Sequence, residues 1–297
     1  MANSLVGLNE TNTRFFADRN QHGVGQRRLT SGAARDLIQV CHPIFSPMQA
    51  AFSSIVLSFI VPAYNEEQLL GPTLESIHDA ARAIGEPYEV IVVDDGSTDQ
   101  TSLVAQRHGA MVVPVNHRNI SATRNSGAQV ASGDFFFFVD ADTLVNAQVV
   151  QAAVNAMRSG AVGGGAAFTF DGAVPWYARL LLPIIVLSFR LAGIATGCFL
   201  FCTRSTFVAV GGFDEAYFGA EEIVLSKALR RQGRFKVLRL SVTTSGRKLR
   251  TFSNREVMTL LLRIARQGRS GVQQRQGMEL WYGERRSDPE QESKGKH

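Results

Sequence analysis

The sequence predicts an α/β protein built on a doubly wound, mostly parallel sheet flanked by helices, with a helical, basic carboxyl-terminal extension. Two observations carry this reading. The apolar runs Ile55–Val61, Val90–Val93 and Phe135–Val139 are too short for buried helices, and each breaks off abruptly into polar residues. Between them lie stretches with helical spacing, so strand and helix alternate as they do in a parallel sheet with crossover helices.

Taken in order, residues 1–52 are polar, rich in Asn, Arg, Gly and Gln, and periodic in neither sense, so they are expected to be disordered. They carry no continuous apolar core of a secretory signal, and Met48 offers an alternative start just ahead of the first strand. The main domain is expected over residues 53–250. Glu67 to Ile84 has Leu69, Leu70, Leu74, Ile77, Ala81 and Ile84 at helical spacing, with Gly85 as the stop signal. A second helix is expected from Thr98 to Gly109, capped by Thr98 or Asp99, then a strand at Met111–Val113 and a third helix from Ser121 to Ser132. Ala161–Ala167 contains three consecutive glycines ahead of a strand-like Phe168-Thr169-Phe170. It does not join strand to helix, so close backbone packing explains it better than a dinucleotide loop.

Trp176 to Phe201 is the most hydrophobic segment. Arg179 and Arg190 bracket a stretch shorter than the roughly 20 residues a spanning helix needs, and Pro183 interrupts it, so it reads as an interfacial or buried helix. Residues 251–287 hold an amphipathic helix with Val257, Leu260, Leu261, Leu262 and Ile264 among arginines. Its two readings are a packing helix with a solvated basic face and a membrane-surface element. Residues 288–297 form a polar tail expected to be disordered.

The chain of 297 residues is 45% hydrophobic, ample for a core. Cys41, Cys198 and Cys202 have no zinc-finger spacing and are too few for a disulfide framework. This points to a reducing compartment and a cytoplasmic protein, with the membrane surface as the other location. Cys198 and Cys202 read as small buried apolar residues. The net charge of +5 is concentrated late, in Arg230, Arg231, Arg234, Lys236, Arg239 and the arginines that follow. No nucleic-acid-binding motif accompanies that charge, so nucleic acid is excluded as a partner, and a phosphorylated substrate or an anionic membrane fits better.

Each apolar run ends in a recognisable polar string. The first gives Pro62-Ala63-Tyr64-Asn65-Glu66-Glu67, the second Asp94-Asp95-Gly96-Ser97-Thr98-Asp99, and the third Asp140-Ala141-Asp142. An Asp-x-Asp leaving a strand at the carboxyl edge of a parallel sheet puts two carboxylates in the ligand crevice, where oxygen-only donors suit Mg²⁺ or Mn²⁺. Ala122-Thr123-Arg124-Asn125-Ser126-Gly127 lies upstream of that strand, and Gly211-Gly212-Phe213-Asp214-Glu215 and Glu221-Glu222 lie downstream. In this order and at this spacing the motifs resemble the nucleotide-sugar half of family 2 glycosyltransferases with the GT-A fold, over roughly residues 54 to 240.

The resemblance implies transfer of a sugar from a nucleotide-diphosphate sugar, a UDP-sugar favoured, to an acceptor hydroxyl with the help of Mg²⁺ or Mn²⁺. It implies a nucleotide site at Pro62, Ala63, Tyr64, Glu66, Asp95, Arg124 and Asp140, and a metal site at Asp142 with Asp140. Tyr64 is placed to lie against a base and Asp95 to accept from a base N–H, although Asp95, Ser97 and Asp99 also suit helix capping. Arg124 offers a guanidinium fork for phosphate or carboxylate. Glu222 aligns with the catalytic base of inverting members, where the family usually shows Glu-Asp. A glutamate in the Asp position leaves Glu221 as the alternative base. No histidine lies between Asp142 and His297, so diphosphate oxygens and water would have to complete a metal shell. Gln273-Gln274-Arg275-Gln276 lacks the tryptophan of the processive synthases' Gln-x-x-Arg-Trp, which favours single-sugar transfer.

Three rival readings remain. A polyprenyl-phosphate-type transferase at the membrane surface would take a lipid-linked or phosphorylated acceptor. A sugar nucleotidyltransferase would want a Gly-rich, Arg-containing loop after the first strand, where this chain has Pro-Ala-Tyr-Asn-Glu-Glu. Intact Asp140, Asp142 and Glu222 argue against the third, a catalytically silent nucleotide-sugar-binding or membrane-docking protein.

Overall fold

The computed structural model describes residues 54–253 and, beyond them, residues 255, 256, 258, 259, 263, 266, 272–276, 278, 282, 283, 286 and 288. The expected disordered segment 1–52, the five apolar residues of the basic helix after residue 251 and the tail from 289 lie outside the described residues. Strand and helix alternate through the first half: β1 (Leu57–Ala63), α1 (Leu70–Ile84), β2 (Tyr88–Asp95), α2 (Thr101–Arg107), β3 (Met111–Val115), α3 (Ile120–Val130) and β4 (Phe135–Val139). Next come β5 (Thr143–Leu144), α4 (Ala147–Arg158), β6 (Ala161–Phe170), α5 (Trp176–Ala192) and β7 (Phe199–Thr203). The described elements close with α6 (Arg204–Ala209), α7 (Glu221–Gln232), β8 (Arg234–Thr244) and α8 (Arg247–Thr251).

The eight strands form one sheet in the order β3-β2-β1-β4-β7-β6-β8-β5. The half from β3 to β4 is wholly parallel, and β7 then runs antiparallel to both β4 and β6. Among the described residues the sheet is entered at β1 and winds outward in both directions, so the carboxyl ends of β1 and β4 sit side by side at the switch point, where open α/β sheets bind ligands.

Burial on both faces explains the unbroken apolar strands. In β4, Phe135 and Phe137 join Leu57, Phe59 and Val61 against α1 and α4, with Phe59 and Phe137 stacked at 4.9 Å. Phe136 and Phe138 point the other way, into the layer formed with Ile60, Ile91, Phe207, Phe213 and Leu225. Each such side chain contributes about 2 kcal/mol of burial. Cys198 and Cys202 are buried, as their sequence context predicts, and burial pushes the Cys198 thiol up to about 12, which makes it an inert group.

The triple glycine packs as closely as its sequence context predicts, within a single strand, β6, that continues through Phe168–Phe170: a Cβ on Gly164 would lie 2.0 Å from Lys236 O and one on Gly165 2.6 Å from the Ala195 Cβ. Elsewhere the structure departs from the sequence reading. The helix of the hydrophobic segment stops at Ala192, closed by Gly193 at φ 63°, and Phe199–Phe201 belongs to β7. Strand β8 had no forecast in the sequence, because Arg234, Lys236 and Arg239 interrupt its apolar pattern. Asp288, expected to begin the disordered tail, is buried, and its Oδ2 accepts from Arg250 Nη2 at 2.6 Å.

Candidate active site

The carboxyl ends of β1, β2 and β4 open into a cavity of about 350 Å³. Pro62, Ala63 and Tyr64 reach it from β1, Asp95 from β2, and Asp140 and Asp142 from the loop after β4. Arg124 arrives from α3, and Glu221 and Glu222 from the first turn of α7. Every residue singled out in the sequence lines this cavity except Glu66. Its carboxylate is buried and accepts from Arg247 Nη2 through both oxygens, at 2.8 and 2.9 Å. A carboxylate engaged in this way braces the loop after β1 against α8.

Arg124 is the hub of the site. Its side chain is fully enclosed, donating from Nη2 to Asp140 Oδ1 at 2.8 Å and to Gly197 O at 3.1 Å, and from Nη1 to Glu221 Oε1 at 2.6 Å. Burial alone would lower its pKa, but Asp140, Glu221 and Glu222 hold it above the ordinary arginine value, so the charge is permanent. The helix that carries it is fixed by its own sequence. Asn119 caps α3 by accepting from Ala122 N at 3.1 Å, and Gly127 lets α3 lie on the sheet, since a Cβ there would sit 2.5 Å from Ile60 Cγ2.

Glu221 and Glu222 are adjacent in sequence and differ in environment. Glu221 is buried in its ion pair with Arg124. Glu222 is half-buried on the cavity wall, and a Cβ on Gly197 would lie 3.8 Å from its Cδ, which places it across from the loop between α5 and β7. Burial, then the charge of Glu221, push the Glu222 carboxyl up to about 8, with Arg124 pulling weakly the other way. Ala220, immediately before the pair, holds a left-handed backbone at φ 60°, a strained conformation for alanine that starts α7 abruptly and turns both glutamates inward.

On the wall beside Tyr64, Asp95 organises a loop as well as lining the cavity. Its Oδ1 accepts from His117 N at 2.6 Å and Arg118 N at 2.9 Å, and its Oδ2 from Thr123 Oγ1 at 2.9 Å. Those bonds hold Arg118 at φ 51° and lay its guanidinium 3.4 Å above the Tyr64 ring. None of this string caps α2, whose N-cap is Gln100 without a side-chain capping bond; Asp99 closes the preceding turn, its Oδ1 accepting from Thr101 N at 2.9 Å.

Several cavity residues were missed in the sequence. Lys248 on α8 adds a cation close enough to draw on Asp140. Phe168, Phe189 and Phe218 line an apolar part of the wall together with Tyr282 from the carboxyl-terminal extension. The Tyr282 hydroxyl accepts from Ile120 N at 3.3 Å and its ring meets Phe218 edge-on at 5.8 Å. Nothing local in the sequence marks Arg118, Lys248 or Tyr282, because each reaches the site through long-range packing.

The two aspartates suit a hard divalent cation. Burial pushes the Asp140 carboxyl up, Arg124 pulls it down and Asp142 pushes it up again, leaving it above the usual range. Two crowded carboxylates of this kind are stabilised by a bound cation. Among the described residues no group of three or more His, Cys, Asp or Glu side chains converges, so a cation held by these aspartates would need further ligands from elsewhere.

Comparison with known proteins agrees with this geometry. The family whose sequence profile matches is Glycosyl transferase family 2, over residues 58–213. A validoxylamine A glucosyltransferase from Streptomyces hygroscopicus subsp. limoneus is 29% identical over 239 residues, covering 65% of this chain and 52% of that protein. An undecaprenyl-phosphate 4-deoxy-4-formamido-L-arabinose transferase from Serratia proteamaculans is 35% identical over 94 residues, 29% of this chain and 28% of that one. The chain thus spans about half the length of the first relative and less of the second. Glucosyl-3-phosphoglycerate synthase from Mycobacterium tuberculosis, solved with Mn²⁺ and uridine-diphosphate-glucose, superposes with a TM-score of 0.52 at 20% identity, covering 73% of this chain and 79% of its own, which shows a shared GT-A fold.

Proposed function

Because this chain belongs to Glycosyl transferase family 2, we propose that it moves a single sugar from a nucleotide-diphosphate sugar, a UDP-sugar by preference, to an acceptor hydroxyl with inversion at the anomeric carbon. The observation that carries this reading is the unequal treatment of Glu221 and Glu222. Arg124 engages the first as a counter-ion, and the second is left on the wall of the same cavity with a carboxyl poised near 8. A base of that pKa accepts the acceptor's proton at neutral to mildly alkaline pH. The acceptor oxygen then bonds to the anomeric carbon, the bond from that carbon to phosphate breaks, and the electron pair leaves on the nucleoside diphosphate.

The remaining wall residues divide by chemistry. Tyr64, with Pro62, Ala63 and Asp95, forms the nucleoside end, and Arg118 covers the tyrosine ring. Asp140 and Asp142 would hold Mg²⁺ or Mn²⁺, which when bound supplies positive charge to the departing diphosphate. Lys248 adds a second cation on that wall. The Mn²⁺ and UDP-glucose of the M. tuberculosis neighbour support this donor chemistry.

A second reading, transfer to a lipid-linked phosphate, is favoured by the apolar wall of Phe168, Phe189 and Phe218 and by the undecaprenyl-phosphate transferase among the relatives. A phosphate oxygen needs no base, so the two readings differ in their demand on Glu222.

A thermal-shift screen of UDP-, GDP- and dTDP-sugars with and without Mn²⁺ tests the donor, since a ligand bound to the native state raises apparent stability by mass action. The largest shift is expected for a UDP-sugar with Mn²⁺. No metal-dependent shift with any nucleotide sugar would overturn the reading.

A further inference from the structure

The geometry points to α5 as the element that seats this protein flat on an anionic bilayer. Although it runs for 17 residues, α5 has no buried residue. Trp176, Leu180, Ile184, Leu187 and Leu191 are between 53% and 79% exposed, and at 3.6 residues per turn their spacing returns them to one face. An apolar stripe of this length facing solvent marks an interaction surface.

Charge decides the occupant. The helix contains no carboxylate, and Arg179 and Arg190, three turns apart, fall along one edge of the stripe. Arg230 adds a third cation at the helix end, where its Nη1 donates to Ala192 O. A second copy pairing across a two-fold axis would set arginine stripes against each other with no acid on either helix to answer them. Anionic headgroups answer all three cations while the acyl boundary takes up the stripe, with the arginine stems reaching along the apolar surface. Among the described residues no helix is long and apolar enough to cross a membrane, so α5 lies on the surface. Phe189 lines the cavity from the opposite face of the helix, which brings the bilayer within about one helix diameter, ~10 Å, of the cavity wall. The inference deepens the lipid-linked acceptor reading, but its test measures binding and not turnover, so the two can fail separately.

The full-length chain is sedimented with vesicles of phosphatidylcholine alone and of phosphatidylcholine with phosphatidylglycerol, at low and high salt. Binding is expected to the anionic vesicles, with partial release by salt and at least ~10-fold weaker partition onto neutral ones. The double variant Leu180→Glu, Ile184→Glu should lose about 10-fold or more in partition while its donor-induced thermal shift is unchanged, and Arg179→Gln, Arg190→Gln should weaken the salt dependence. The inference is overturned by equal partition onto both vesicles, by no binding, or by unaltered binding of the double variant. A vesicle-free dimer that Leu180→Glu, Ile184→Glu dissociates would instead assign the stripe to a second copy.

Discussion

Arg124 Nη1 lies 2.6 Å from Glu221 Oε1, and both side chains are shut off from solvent, although 97 residues separate them in the chain. The same guanidinium reaches Asp140 at the end of β4. One side chain thereby fixes the spacing between the carboxylates of the sheet edge and the first turn of α7.

That spacing separates the roles of two adjacent glutamates. Glu222→Gln is expected to lower kcat by at least ~100-fold while leaving donor affinity near normal, the range for loss of a general base. Glu221→Gln should instead destabilise the fold by about 3 kcal/mol, because it breaks a buried ion pair and strands part of the Arg124 charge. Steady-state kinetics beside thermal melts of both variants checks this, and the reverse pattern would make Glu221 the base. Normal turnover in Glu222→Gln would favour the phosphate acceptor.

The pH profile follows from the same group. Glu222 is held up to about 8 by burial and by Glu221, so it is mostly protonated at pH 7 and must lose that proton to act. The rate at saturating acceptor is therefore expected to climb about tenfold per pH unit below 8 and level off above it. A profile with no ascending limb between pH 6 and 8 would count against the assignment. The Glu222→Gln variant should lack that limb altogether.

Asp142→Asn removes a charged oxygen donor from the carboxylate pair. Turnover should vanish, and nucleotide binding should become the same with and without Mn²⁺, measured by calorimetry under matched ionic strength. Retained metal-dependent strengthening would remove Asp142 from the metal site.

Glu66 provides the contrast. Its bidentate pair with Arg247 is buried, so Glu66→Gln is expected to cost about 3 kcal/mol, or roughly 6–12 °C in Tm for a domain of this size. Below the melting transition its donor affinity should stay within about threefold of the parent. A large affinity loss without a stability change would return Glu66 to the nucleotide site.

The parallel half of the sheet was legible because its residues are unambiguous: the Phe135–Val139 run, the Gly85 stop and the Asp-rich strand ends leave little choice locally. The other half was hidden by residues whose environment is set at long range. Gly163–Gly165 suggested close packing without saying that Lys236 O and Ala195 would be the neighbours, and Arg234, Lys236 and Arg239 disguise a strand whose outward positions meet solvent. Within the site, the spacing of Asp140 and Asp142 was readable, as was the ambiguity between Glu221 and Glu222. Only the fold shows Arg124 engaging Glu221, Arg118 lying on Tyr64, and Tyr282 returning from the carboxyl-terminal extension to line the cavity.

The four consecutive phenylalanines of β4 carry a consequence for how the strand finds its place. Shifting a strand by one residue exchanges its two faces, and in most strands that error is prevented because it would bury polar side chains. Here a shift by one would still present phenylalanine to both layers, so hydrophobicity barely distinguishes the correct register from its neighbour. Polar clamps at the two ends make the distinction. At the start, Ser58 Oγ accepts from Gly133 N at 2.9 Å and Asp134 Oδ2 accepts from Val56 N at 3.1 Å; at the finish, Arg124 holds Asp140 at 2.8 Å. The ion pair that holds Asp140 at the cavity wall therefore also acts as an alignment pin for the central strand, and weakening it would be felt as strand slippage during folding.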